Sequence, residues 1–326
     1  MPAGICLIVN PSAGGGRSAR LAPEMEAALR GRGLTVRRVD TRDVAHARAL
    51  AREAASAGET VVALSGDGLV GVIADELREI PGARLGVLPG GRGNDLARVL
   101  EIPGETAGAC DVVAHGTPRP LDLGLVRELA GEDAGRAFVG IASAGFDSDA
   151  NRIANEAPPW LGGLVYAYGA LRALLSWHPA RFELELDGGE RHTVSGYTVA
   201  VANSRAYGGG MYVAPDARLD DGMLDIVVIE RTSRLRFLAN LPRVFKGTHV
   251  ELPAVRVLRA ASVTISADRP FTMYADGDPI GELPVRVSAL RGAVEVITPA
   301  RAPAALAANP ADAGAAPAAG SAATGA

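Results

Sequence analysis

TVVALSGDGLVGVIADEL, residues 60–77, holds a valine-rich apolar run, a Gly-Asp-Gly turn and a second apolar run with helical spacing. The first run is short and bounded by glycine, which reads as a strand buried on both faces; residues 70–77 read as a helix. The pattern repeats on either side. ICLIVN at 5–10, LTVRRVD at 34–40 and RLGVLPGG at 84–91 are further strands, and residues 19–32 and 44–57 have helical composition. A βαβα rhythm of this kind predicts a mostly parallel sheet with helices on both faces. Ligands in such sheets bind outside the carboxyl ends of the strands.

Near residue 122 the pattern changes. AFVGIAS, RFELELD, YTVAVAN, LDIVVIE, AVRVLRA, SVTISA and FTMYADG follow in order, and RFELELD and VTISA alternate apolar with polar. That predicts an antiparallel sandwich or barrel, interrupted by helical stretches at 160–177 and near 234–246. WLGGLVYAYGALRALLSW at 160–177 approaches a membrane span in length, but Arg172 and its glycines favour a buried or cleft-lining helix. Of the 26 residues from 301 to 326, 14 are alanine, without periodicity, so that tail is expected to be disordered.

A chain of 326 residues is long enough for about two domains. Its net charge of −4 supplies no global basic field for nucleic acid. The only lysine is Lys246, and Gly247 follows it, so neither a Walker A loop nor a protein-kinase lysine is available. Cys6 and Cys110 make no framework and suit a reducing, cytoplasmic location. His46, His115, His178, His192 and His249 are scattered, without a zinc pattern. No secretory signal is evident at the N-terminus.

Three strands of the first domain end in glycine loops: NPSAGGGRS at 10–18, SGDGL at 65–69 and PGGRGND at 89–95. Glycine allows close backbone approach and presents N–H groups to phosphate oxygens, and the helix after each loop aims its positive end at the same place. Asp67 and Asp95 add carboxylates there, and carboxylates beside phosphates point to Mg²⁺. A dehydrogenase fits poorly. No G-x-G-x-x-G joins the first strand to its helix, although the 14–16 glycines and Asp40 approach that arrangement.

These loops resemble those of the diacylglycerol kinase catalytic-domain family of lipid kinases, which includes the sphingosine kinases. NPSAG at 10–14, SGDGL at 65–69 and GRGNDLAR at 91–98 match its nucleotide loops. AGFDSDANRIAN at 144–155, PDARLDDGMLDIVVI at 215–229 and YADGDP at 274–279 are similar to its later motifs. The resemblance implies an N-terminal α/β nucleotide domain like that of NAD kinases and phosphofructokinases, over 1–122 plus about 292–300. A β-sandwich lipid domain follows over 123–291, with ATP in the cleft between them. It further implies transfer of the ATP γ-phosphoryl group to a lipid hydroxyl, with diacylglycerol as default acceptor.

By the same resemblance, Asn10, Gly14, Gly15, Gly16, Gly66, Gly68, Gly91, Arg92, Gly93 and Asn94 would hold nucleotide. Asp276 would be the general base, with Asp67 acting through Mg²⁺. Asp95 would lie near the metal, and Asp278 would help organise it. Asp216, Asp220 and Asp221 would form a structural Mg²⁺–water network, or else an ordinary turn. Asp276-Gly277 has its own alternative as a hairpin turn.

The chain departs from the family at four places. Leu69 follows the Gly-Asp-Gly where most members carry a small hydroxyl residue; Gly71 and Val72 replace a polar pair; Arg92 replaces Thr or Ser. Arg92 could clamp a phosphate or fill the site. The alternatives are therefore a sphingoid-base or other lipid-alcohol kinase, a kinase for a soluble acceptor, and a non-catalytic nucleotide- or lipid-binding homologue. The expected partners are a lipid and, peripherally, the inner face of the membrane. A homodimer is compatible with the sequence. Residues 231–249 carry five cations and no acid, which suits either an interfacial helix or a helix packed on the sandwich.

Overall fold

The computed structural model describes residues 4–131, 134–146 and 177–306. The helix expected at 160–177, apart from Trp177, and all but the start of the 144–155 motif lie outside the described residues.

The first unit alternates β1 (Ile5–Val9), α1 (Ala13–Gly31), β2 (Val36–Asp40), α2 (Val44–Ser56), β3 (Thr60–Ser65), α3 (Asp67–Leu77) and β4 (Arg84–Pro89), then the short helices α4 (Asp95–Val99) and α5 (Thr106–His115). Strands β1, β3 and β4 are almost wholly buried, which is why they read as continuous apolar runs. The pairs β2–β1, β1–β3 and β3–β4 are all parallel. Helices α1 and α5 pack together, as do α2 and α3. The strand order reverses between β1 and β3, so the loops leaving those two strands diverge and leave a crevice at their carboxyl ends.

The second unit contains β5 (Thr117–Glu128), β6 (Arg136–Phe138), β7 (Ile141–Gly145), β8 (Ala180–Leu186), β9 (Glu190–Ala202) and β10 (Leu224–Glu230). After the helix α6 (Arg234–Val244) come β11 (Val255–Ala260), β12 (Ser262–Ala267), β13 (Thr272–Ala275), β14 (Asp278–Glu282) and β15 (Val285–Thr298). All pairings within this unit are antiparallel. The alternation in RFELELD places Phe182, Leu184 and Leu186 inward. There they join Val263, Ile265, Val285, Val287, Val199 and Val201 in one core. The first half of β9 pairs with β8 and its second half with β7, so this strand bends from one face of the sandwich to the other.

Two long strands run through both units. β15 pairs antiparallel with β5 along nearly its whole length, and near its end Glu295 and Val296 pair parallel with β4. The ladder is interrupted between Leu290 and Val294. At that bulge Asp122, only 1% exposed, accepts hydrogen bonds from Gly292 N and Gly222 N, both at 2.6 Å. Burial raises the Asp122 pKa, and the two N–H donors oppose the rise.

The expectation of disorder from residue 301 onward is corrected for 301–306. Ala305 and Leu306 are buried, Ala305 O accepts from Leu219 N at 3.1 Å, and Glu101 Oε1 accepts from Ala304 N at 2.9 Å. Alanine-rich composition hid one leucine with an apolar seat in the first core. Residues 307–326 lie outside the described residues.

Asp122→Ala removes the acceptor of N–H groups on half-buried Gly222 and exposed Gly292, at about 0.5–1.5 kcal/mol each, so it is expected to lower unfolding free energy by about 1–3 kcal/mol. Urea denaturation checks this; a loss below about 1 kcal/mol would mean that the bulge is held by other contacts.

Candidate functional site

The third glycine loop touches each of the other two backbone to backbone. A Cβ on Gly14 would sit 2.6 Å from Gly90 O, and one on Gly66 would sit 3.2 Å from Gly91 Cα. Part of the glycine signal is therefore packing of loop against loop. Gly15 has a different reason. Its φ is +66°, nothing lies within 4 Å of where a Cβ would project, and Gly14 and Gly16 flank it with positive φ. Such a run turns the chain left-handed into open space within the first residues of α1, a concavity suited to an anion. Asn10 Oδ1 shapes the same loop by accepting from Ser12 N at 3.1 Å and Ser12 Oγ at 2.8 Å.

The other two loops are tied by side chains. Asn94, left-handed at φ +52°, accepts from Gly91 N at 2.8 Å and donates to Gly91 O at 3.0 Å. Asp67 starts α3 and accepts from Leu96 N, in the first turn of α4, at 3.0 Å. Asp95 is buried, pairs with Arg98, and accepts from Gly209 N at 2.7 Å. Burial pushes the Asp95 carboxyl up, Gly209 N–H opposes it, and the Asp67 charge adds to it. Arg92 is exposed and has no hydrogen bond or ion pair among the described residues.

The Asp67 and Asp95 Oδ2 atoms each lie 3.0 Å from the point where a Cβ on Gly93 would sit. Two hard oxygen donors thus face one small gap that glycine keeps open. Among the described residues no three Asp, Glu, His or Cys side chains form a cation cage. Two carboxylates with room for phosphate oxygens is the ligand set Mg²⁺ takes in nucleotide sites, so the donors fit that ion.

Asp276 reaches the same crevice from the second unit. It is the first loop residue of the β13–β14 hairpin, at φ +50°, with Gly277 at φ +98°. Two consecutive positive-φ residues of Asp-Gly type make a tight hairpin, so the turn reading holds, and the same turn carries Asp276 into the crevice. Its carboxylate accepts from Val139 N and Gly140 N, each at 3.0 Å. Burial pushes its pKa up to about 7; the backbone donors resist, and the Asp67 charge adds to the rise. The Asp278 carboxyl is also raised by burial, with the Arg136 charge opposing, and its Oδ2 lies 3.1 Å from a Cβ position on Gly68. A cleft of about 50 Å³ opens beside Asp276, with Gly71, Val72, Arg136 and Asp278 among its walls.

The structure brings Asp67, Asp95, Asp276 and Asp278 to one crevice. Asp216, Asp220 and Asp221 form a second acidic patch near Asp122 and Asp225, where Asp221 pairs with Arg259 and Asp220 lies 3.5 Å from Arg218. Asp225 in that patch is pushed up to about 6 by burial. Asn203 links the two patches: fully buried, it donates to Asp122 O at 2.9 Å and to Val139 O at 2.8 Å.

Sequence reasoning missed several supports. The glycines at 208–210 hold Asp95, and three in a row after a strand was the available signal. Asn203 was legible only as the end of YTVAVAN. Asp75, 6% exposed in α3, accepts from Ala137 N at 2.9 Å and pairs with Arg48 and Arg78, fastening β6 to α3 ahead of the Val139 and Gly140 donors. The departure at Gly71 has a physical basis: a Cβ there would lie 2.9 Å from Asp276 Oδ2.

Comparison with known proteins places the chain in a family. Residues 4–126 match the family model of the diacylglycerol kinase catalytic domain. Residues 140–298 match that of the YegS C-terminal NAD kinase beta sandwich-like domain. A diacylglycerol kinase of Mycobacterium tuberculosis is 35% identical over 90% of this chain and 95% of its own. The "Probable lipid kinase YegS-like" of Pseudomonas aeruginosa is 33% identical over 87% of this chain and 90% of its own. A crystal structure of a diacylglycerol kinase from Bacillus anthracis shares the fold, with a TM-score of 0.68, 22% identity, and coverage of 90% of this chain and 96% of that one. The protein is a lipid kinase, an α/β unit joined to a β-sandwich, and kinase chemistry makes ATP its phosphoryl donor. It belongs to the diacylglycerol kinase catalytic-domain family, in the branch with a YegS-type second unit.

Gly71→Ala is expected to displace the Asp276 carboxylate and lower kcat at least about tenfold while leaving the KM for ATP within about twofold, because a misplacement of this size costs positioning rather than binding. Steady-state kinetics with varied ATP tests it; an unchanged kcat would show that the carboxylate has room to move.

Proposed function

We propose that this enzyme transfers the γ-phosphoryl group of ATP to the free hydroxyl of diacylglycerol, giving phosphatidic acid and ADP. The observation that carries the reading is Asp276: a carboxylate near the neutral range, held by two backbone N–H groups, facing Asp67 across the crevice. Residues 1–122 with about 292–300 would hold nucleotide, and 123–291 would present the acceptor.

In this reading the glycine loops at 14–16, 66–68 and 91–93, with Asn10 and Asn94, cradle the phosphates through backbone N–H groups and helix N-termini. Exposed Arg92 is free to meet a phosphate oxygen. Asp67 and Asp95 would hold Mg²⁺ with phosphate oxygens completing its shell, Asp278 would help organise it, and the ion would supply charge neutralisation at the transferring group. Asp216, Asp220 and Asp221 would be a second, structural site. Asp276 accepts the acceptor's hydroxyl proton as that oxygen bonds to the γ-phosphorus and the bond to ADP breaks. A base near neutrality suffices, because positioning and charge stabilisation dominate phosphoryl transfer.

Among the described residues no helix is long and apolar enough to cross a membrane. An acceptor with two acyl chains resides in a bilayer, so the reading includes peripheral contact with the inner membrane face. Both cysteines are free, which suits the reducing cytoplasm.

Asp276→Asn should fold, because Asn-Gly is a preferred dipeptide for such a hairpin. It is expected to keep ATP binding and lose about 10²–10⁴-fold in kcat, the usual span for a general base. In the parent, kcat/KM for the lipid should fall as pH drops below about 7, where Asp276 becomes protonated. Transfer of labelled γ-phosphate into diacylglycerol micelles measures both. Label appearing in another lipid alcohol and not in diacylglycerol would sink the acceptor assignment.

A further inference from the structure

We infer that the outer face of α6 is the surface by which this kinase docks on an anionic lipid bilayer; the inference rests on the lipid-acceptor reading above. Arg231, Arg234, Arg236, Arg243 and Lys246 are all exposed, and residues 231–250 contain no acidic side chain. Glu230, at the boundary, is neutralised by Arg256 at 2.6 Å.

The helix is anchored by one face. Phe237 stacks on Tyr197 with ring centres 4.7 Å apart and meets the Phe146 ring edge-on at 5.0 Å, and Leu238 packs on the same core. The opposite face, at helical spacing, carries Leu235, Arg236, Ala239, Pro242, Arg243 and Lys246, every one exposed. Leu235 is 81% exposed, and Phe245 at the helix end is 52% exposed. Arg234 donates to Trp177 O at 2.9 Å, and among the described residues none of the five cations has an ion pair. Large apolar side chains set among such cations suit the headgroup region of a membrane, where guanidinium groups meet lipid phosphates and apolar tips enter the acyl boundary. The whole chain has net charge −4, so the basic character belongs to this face and not to the protein at large.

The placement suits the chemistry. Val244 O, at the end of α6, accepts from Tyr212 N at 2.9 Å, and three residues earlier Gly209 N donates to Asp95. Three residues of chain span at most about 11 Å. The docking face therefore lies close to the crevice, as a kinase needs if its acceptor hydroxyl sits at headgroup depth.

The test is co-sedimentation of the full-length protein with phosphatidylcholine vesicles, with and without phosphatidylglycerol, at low and high salt. Binding is expected only with phosphatidylglycerol and should weaken with salt. Arg236→Glu with Arg243→Glu should reduce it at least about tenfold, and Leu235→Asp should reduce it too. Arg42→Glu with Arg181→Glu, an equal charge change elsewhere, should leave it intact. Equal sedimentation of the α6 variants and the parent, equal loss in the control, or no binding by the parent would overturn the inference; the last would favour a protein partner for this face. Short-chain diacylglycerol, dispersed without vesicles, should be phosphorylated equally by all these proteins. Its failure as a substrate for the parent would count against the acceptor assignment alone, because vesicle binding is read separately.

Discussion

The antiparallel ribbon of β5 and β15 is the constraint on which the rest of the structure depends. A loop joining two units would leave their relative orientation free. Here two paired strands pass from one core into the other, and β15 ends as a parallel partner of β4. Such a ribbon must bend where the sandwich gives way to the parallel sheet. The bulge between Leu290 and Val294 supplies the bend, and Asp122 holds it with two short hydrogen bonds in a buried setting. A carboxylate is costly to bury, and two backbone N–H donors offset part of that cost here.

That fixed orientation lets two distant segments make one site. Asp67 comes from the first turn of a helix in one unit, and Asp276 from a hairpin tip in the other. Burial lifts Asp276 toward neutrality, and the charge of Asp67 adds to the rise. Val139 and Gly140 point their N–H groups at Asp276 because β6 is fastened to α3 through Asp75 and because Asn203 grips Val139 O from beneath. The carboxylate is positioned by backbone N–H groups, which are less adjustable than side chains.

Glycine plays three physical roles around this crevice. At Gly14 and Gly66 it lets loops pack on one another; at Gly15 it supports a left-handed turn open to a ligand; at Gly71 and Gly93 it clears space beside carboxylates. In sequence all five look alike. The resemblance of the loops to a kinase family was correct, but phosphate binding alone does not explain why each position is glycine.

Much was legible in the order of residues. Buried strands announced themselves as unbroken apolar runs, and the exposed face of β8 appeared as alternation in RFELELD, because period and burial are local properties of the chain. The acidic motifs were legible too, since SGDGL, GRGND and ADGDP each occupy a few adjacent positions. Less visible were α5, whose Gly108 weakens a short helical pattern, and Leu306, concealed in an alanine-rich tail. Sequence by itself determined the strand–helix rhythm, the change to antiparallel strands, and the family. Only the tertiary structure decided that Asp276 faces Asp67 and that Asp122, Asn203 and Asp75 hold the two units in register. It also left α6 with one face buried against aromatics and the other bare. Those outcomes depend on contacts between residues up to about two hundred positions apart, and the chain encodes such contacts only through the packing of the whole.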